Sequence, residues 1–246
     1  MLLIFAGFVL GFANTLASSG SAFSLPVLLT MGLDPELANG TNRIGVLAAA
    51  LASLVPYLRA RIIPWKQITP LIVVCVAGTV LGAILSEIVP GSRLHLVVVG
   101  ALLVALAILL GRPTRWLFNQ ITQPRVGWMQ LMLIFLVGIW MGFIFLDCGT
   151  YLLFILVLSA RFDLIKANAI KTILVAVSAA TAIPVMLIGN HIDWSIASWL
   201  SVGAMAGGLI AARAALIRGA DRWIYALIVL MVGGELVQLV LADLWH

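Results

Sequence analysis

Apolar residues run through this 246-residue chain in stretches about as long as a bilayer is thick, separated by short polar or basic segments. No stretch alternates as a barrel strand would, so each reads as a helix. Residues 1–17 form the first. Residues 22–32 form a short one, roughly 16 Å of helix or half a bilayer. A turn at 33–36, with Asp34 and Pro35 suited to a helix start, leads into 37–58, followed by 68–88 and 94–110. The second half predicts helices over 128–146, a short 151–159, 164–188, 194–217 and 223–241.

Two interruptions differ from the rest. Ala17-Ser18-Ser19-Gly20-Ser21 and Leu146-Asp147-Cys148-Gly149-Thr150 place small or polar residues inside apolar runs, at membrane depth. An unpaired backbone amide costs several kcal/mol in hydrocarbon, so such a break persists only where protein or a water-filled cavity surrounds it. Broken helices in corresponding halves of a chain point to a transporter's binding site.

The halves do correspond. Gly20 and Gly149 are 129 positions apart, and the same offset pairs Ala38-Asn39 with Ala167-Asn168, Trp65 with Trp194, Gly78 with Gly207 and Arg93 with Arg222. Gly7 and Gly11, spaced for close helix packing, are echoed by Gly138 and Gly142 at an offset of 131. This predicts an all-α membrane protein of two inverted-topology repeats, 1–126 and 127–246, each a broken-helix hairpin followed by three transmembrane helices.

Composition narrows the class. The chain is 63% hydrophobic and 9% charged, far below the quarter charged that a soluble domain carries. Residues 1–17 lack a basic leader and a small-residue cleavage site, so they read as mature structure rather than a signal peptide. The net charge of +5 comes from cations scattered singly in loops, which excludes a nucleic-acid face and reports orientation instead. Arg59, Arg61, Lys66, Arg112, Arg115, Arg125 and the loops at 160–171 and 213–222 fall on one face, and Asp34, Glu36, Asp193 and Asp243, with Arg93, on the other. Positive-inside makes the first face cytoplasmic and puts both termini outside. Cys75 and Cys148 lie in apolar segments and imply no disulfide framework. Neither a metal-ligand cluster nor a nucleotide loop is present, so no cofactor or metal is expected.

The candidate chemistry gathers at the breaks. Helices starting beside Ser21 and Thr150 would aim free N–H groups and a positive dipole end at an anion, with Ser18, Ser19, Ser21 and Thr150 adding hydroxyls and Gly20 and Gly149 freeing the backbone to leave helical geometry. Asn39, Asn42 and Arg43 follow in the first half, Asn168 and Lys171 in the second. The offset sets Lys171 opposite Asn42, one position from Arg43, so two cations would enter the middle from opposite sides. Buried intramembrane charges are functional by default; the plainer reading is that they pair with an acid or snorkel. Asp147 would carry a coupling proton or neutralise a cation, and Glu235, behind Gly233-Gly234, reads as a packing or ion-pair residue rather than a relay. A further reading makes Ser19 or Ser21 a hydrolase nucleophile with His95 or His191 as base, against which both histidines sit at span ends.

With these residues in view the chain resembles the sulfite exporter TauE/SafE family of small bacterial membrane transporters. The likeness rests on the Gly-spaced first helix, the Gly/Ser break, Pro26-Val27-Leu28-Leu29 with Gly32, Ala38-Asn39-Gly40-Thr41-Asn42-Arg43, Lys166-Ala167-Asn168-Ala169-Ile170-Lys171 and Ile192-Asp193-Trp194. Family members often carry a glycine run where this chain has Ser18-Ser19-Gly20 and Asp147-Cys148-Gly149. The resemblance implies a multi-pass inner-membrane transporter, not an enzyme, whose partners are a small sulfur-containing anion such as sulfite or an organosulfonate and the lipid bilayer. It leaves homo-oligomerisation open. An anion channel using the same site is the alternative.

Overall fold

The computed structural model describes residues 1–18, 20–86, 124–143, 145, 148–217, 219–220, 224–230 and 233–234. Their secondary structure is helical. In order come α1 (Leu2–Ala17), α2 (Gly20–Thr30), α3 (Pro35–Arg59), α4 (Trp65–Ser86), α5 (Trp128–Phe143), α6 (Cys148–Leu153) running into a π-helical segment over Phe154–Ser159, α7 (Leu164–Ile188) and α8 (Trp194–Ala215). α3, α4, α7 and α8 are long and apolar enough to cross a bilayer, and the chain is an all-α multi-pass membrane protein. The expected span 94–110 lies outside the described residues; of 223–241, residues 224–230 are helical.

Local signals set the boundaries. α3 and α7 both follow an extended Asp, Asp34 (φ −62°, ψ 152°) and Asp163 (φ −64°, ψ 155°), and the Asp163 carboxylate accepts the Lys166 amide. Asp193 caps α8 by accepting from the Ile196 amide. Left-handed residues turn the chain at Gly32 and Arg161 before these long helices, and at Arg61 and Asn190 after them. Each of those pairs is 129 positions apart. Most boundaries lie within a few residues of the pattern-based reading, and those at the breaks shift as follows. α2 begins at Gly20 rather than at Ala22, α6 begins at Cys148, and α5 stops at Phe143. The π-helical winding over Phe154–Ser159 widens the turn, and Phe154 to Val157 are all buried there.

Glycine seams decide which helices touch. A Cβ on Gly7 would strike the Leu200 carbonyl and one on Gly11 the Ala204 carbonyl; Gly203 and Gly207 of α8 meet Ile4 and Phe8 in return. On the other side Gly78 and Gly82 of α4 lie against Phe135 and Ile139, and Gly138 and Gly142 of α5 against Cys75 and Thr79. Small residues let backbones approach where lipid gives no hydrophobic drive for helix association. In both seams the numbers rise together, so α1 runs parallel to α8 and α4 parallel to α5. Between them α3 and α7 cross in antiparallel fashion, Tyr57 meeting Asn168. Outward faces carry Val73, Leu136, Trp199 and Val202, each more than half exposed, as a lipid-facing surface requires.

These directions gather Arg59, Arg61, Lys66, Arg125, Arg161, Lys166 and Arg213 at one end of the bundle, where the Arg125 amide donates to the Ala160 carbonyl. Asp34, Glu36 and Asp193 lie at the other, where the Asp193 amide donates to Thr41 Oγ1.

Candidate functional site

The first break is a single left-handed residue. α1 ends at Ala17, and Ser18 adopts φ 71° and ψ 2°. The glycine of this break does different work: a Cβ on Gly20 would strike the Leu10 carbonyl and the Asn14 side chain as α2 folds back along α1. The final carbonyls of a helix have no intrahelical partner. Those of Asn14 and Thr15 instead accept from Lys171 Nζ, both at 2.9 Å, and Ser18 Oγ accepts a third bond at 3.1 Å. Lys171 comes from α7, seven residues after Leu164, and is 1% exposed. A cation at the negative end of the α1 dipole is favourable, and these three oxygens are among the partners of the buried charge.

α2 is clamped to α3 by Asn42. Its amide Nδ2 donates to Ser21 Oγ at 3.0 Å, and its Oδ1 accepts from Ser24 Oγ at 2.6 Å. All three side chains are buried. Thr15 Oγ1 and Ser53 Oγ are 2.8 Å apart; because the Ser53 hydroxyl donates to the Ala49 carbonyl, Thr15 is the donor.

The second break meets the first. A Cβ on Gly149 would fall 2.6 Å from Ser18 Cβ and 3.2 Å from Lys171 Cδ, so only glycine fits between them. Thr150 is fully buried one residue on. From α3, Arg43 reaches the end of α5, where its Nη2 donates to the Gly142 carbonyl at 2.7 Å. The guanidinium carbon sits 5.7 Å from the Phe145 ring centroid, a cation–π distance. Arg43 is fully buried, and its Nε and Nη1 have no hydrogen-bond partner among the described residues. A buried charged donor without an acceptor is costly, which makes this edge a candidate contact for one.

Ser18, Gly149 and Lys171 therefore converge, and Gly20, Ser21 and Asn42 form the adjoining clamp. Asn168 is not part of that cluster: its Nδ2 donates to the Tyr57 hydroxyl at 3.1 Å near the cation-bearing end of the bundle. Asn39 keeps a buried Oδ1 without a partner among the described residues. Ser19, Asp147, Glu235 and His95 lie outside the described residues. His191 packs its backbone on Gly40 and its ring on Gly189, in the connection between α7 and α8.

Sequence reasoning missed Asn14, Thr15, Ser24, Tyr57 and Phe145. Ser24 was findable, since it falls one helical turn past Gly20 on a helix whose residues after Ser21 are otherwise apolar up to the terminal Thr30. Asn14 and Thr15 act through backbone carbonyls, which no residue pattern displays. A cavity of about 10 Å³ adjoins Lys171, lined by Asn14, Thr15, Ala50, Thr172 and Val175, room for one water. A sulfur oxyanion is larger, so this conformation is closed around that point.

Comparison with known proteins agrees with the geometry. A family described as "Sulfite exporter TauE/SafE" matches residues 3–236. A Xylella fastidiosa protein called "Probable membrane transporter protein" is 30% identical over 239 residues, covering 92% of this chain and 90% of its own. A Sinorhizobium protein, "Probable membrane transporter protein ORF9", is 28% identical over 219 residues, 89% of this chain and 84% of that one. A Haemophilus influenzae protein of the same description is 23% identical over 220 residues, 89% and 86% of the two chains. No solved structure matches. Matched along nearly its whole length, the chain belongs to the sulfite exporter TauE/SafE family.

Proposed function

We propose that this membrane transporter exports a small sulfur-containing anion, sulfite or an organosulfonate, by alternating access around the point where the two breaks meet. The observation that carries the reading is the buried Arg43 edge, whose Nε and Nη1 are open donors on a fixed positive charge. A planar guanidinium fork matches the oxygens of sulfite or a sulfonate as it matches carboxylate and phosphate. Ser21, Asn42, Gly149 and Thr150 complete the polar surround, and Ser18 and Lys171 bring the second positive charge beside it. The family's description names sulfite, which fits this chemistry.

The two halves, 1–126 and 127–246, act as inverted repeats. Their matched helix lengths support this, 16, 25 and 22 residues in α1, α3 and α4 against 16, 25 and 22 in α5, α7 and α8. So do the opposite directions of α1 and α5 implied by the two glycine seams. Rocking of one half against the other would open the closed site to each side in turn. The positive-inside rule supports a cytoplasmic cation-bearing end, and with it an inner-membrane protein whose termini are periplasmic.

Counterflow tests the function. Proteoliposomes preloaded with unlabelled sulfite or taurine should transiently concentrate labelled anion from outside. Passive dissipation without an overshoot would make the protein a channel, and no flux of any sulfur anion would remove the reading. Asp147, beside the second break, carries the coupling proton in this scheme. D147N should bind anion about as well as the wild type while its transport loses pH dependence; an unchanged pH profile would return Asp147 to a structural role.

A further inference from the structure

The geometry points to a monovalent-cation site at the end of α1, which Lys171 fills with its own ammonium. Three oxygens at 2.9, 2.9 and 3.1 Å surround Nζ, two of them backbone carbonyls from the last turn of a helix and one a hydroxyl at the break. Unwound backbone carbonyls and the ends of broken helices hold the driving cation in transporters that use one. Carbonyl and hydroxyl oxygens suit a hard monovalent ion. Here the ammonium is tethered to α7 and cannot leave.

Several details argue that the pocket is built for a cation rather than merely tolerating a lysine. The oxygens belong to α1 while the charge comes from the other half of the chain, so the cation holds two bodies together. The Lys171 stem is fixed as well: its Cδ lies against Gly149, where any side chain would collide. The adjoining cavity of about 10 Å³ opens onto Asn14, Thr15 and Lys171 and leaves room for one water beside the ammonium.

The consequence for transport rests on the reading proposed above. A resident ammonium makes sodium and potassium unnecessary, so anion movement should not be driven by either ion. Replacing Lys171 by Ala removes a propylammonium-sized group and should convert the pocket into one that binds a free cation.

Thermal unfolding of purified full-length K171A tests this directly, with choline chloride exchanged for sodium, potassium or n-propylammonium chloride at constant ionic strength. At about 50 mM, n-propylammonium or sodium should raise the melting temperature of K171A by about 5 °C and leave the wild type within about 1 °C. A folded K171A that gains nothing from any of the three cations overturns the site. If K171A does not fold, wild-type flux decides: replacing all sodium and potassium by choline should leave it within about twofold, and a requirement for either ion overturns the inference. Wild-type liposomes that carry no anion would defeat the transporter reading alone, because the melting experiment needs no transport.

Discussion

Lys171 and Arg43 occupy related places, yet their surroundings differ in the one respect that matters for chemistry. Each is buried on a 25-residue helix, and each reaches the last turn of the first helix of the other half. Lys171 meets three oxygens there, which match the three donors of an ammonium. Arg43 gives one bond to Gly142, covers itself with Phe145 and keeps Nε and Nη1 open. A compact point charge suits converging carbonyls, while a planar fork suits an oxyanion. On the proposed reading the contrast separates two jobs: one cation ties the first helix of the other half in place, the other meets the ligand.

The largest effect should come from breaking the closed side. K171M keeps the apolar stem but strands two buried carbonyls and a hydroxyl at the α1 terminus. Leaving such groups unpaired costs about 2–4 kcal/mol. The melting temperature should fall by about 5–15 °C. The loss should be the same with or without sulfite if Lys171 mainly holds α1. A Met variant as stable as the wild type would show that those carbonyls find other partners and that their bonds from Lys171 contribute little.

The open side should respond in the opposite way. R43Q loses one bond to Gly142 and the charge, so sulfite affinity should weaken by at least about tenfold, roughly 1.4 kcal/mol. Stability should change less than in K171M. R43K keeps the charge without the fork and should recover only part of the affinity, with a dianion losing more than a monoanion of similar size. Calorimetry on folded, detergent-purified variants reads all three. Equal sulfite binding by R43Q and the wild type would place the anion elsewhere.

That asymmetry was only half legible in the sequence. The two breaks, the span of each long helix and the offset of 129 could be read off the residues, because small polar residues inside apolar runs have few explanations in a bilayer. The offset also predicted two cations from opposite halves. It did not say what they touch. Register within equivalent helices fixes depth, whereas partners depend on how α3 and α7 cross and on which helix end each side chain meets. Lys171 binds backbone carbonyls, and these are identical in every residue. Gly20 drew attention as the flexible residue, yet the left-handed position belongs to Ser18 and the glycine serves close approach. Asn168 and Asn39 share the offset but not the surroundings, since the partner Tyr57 has Met186 at the matching place in the other half.

The smallest effect sharpens the comparison most, because Phe145 has no part in the Lys171 site. Its ring lies 5.7 Å from the Arg43 guanidinium and is 3% exposed, so it both attracts the cation and keeps water from one face of it. F145L retains most of the buried apolar volume and removes the ring quadrupole. A buried cation–π contact is worth about 0.5–2 kcal/mol. If the ring only stabilised the folded protein, that loss would appear in melting, and anion binding would stay unchanged. If it holds the guanidinium so that Nε and Nη1 face the ligand, binding should weaken as well, by about threefold to tenfold. Combining F145L with R43Q separates the cases. The double variant should bind sulfite no worse than R43Q alone, because both changes act through one group and coupled sites do not add. Combined with K171M, F145L should instead add its full effect on melting. Additivity of F145L and R43Q in sulfite binding would mean that the ring touches the anion path independently of Arg43, and the open edge would lose its status as the prepared half of the site.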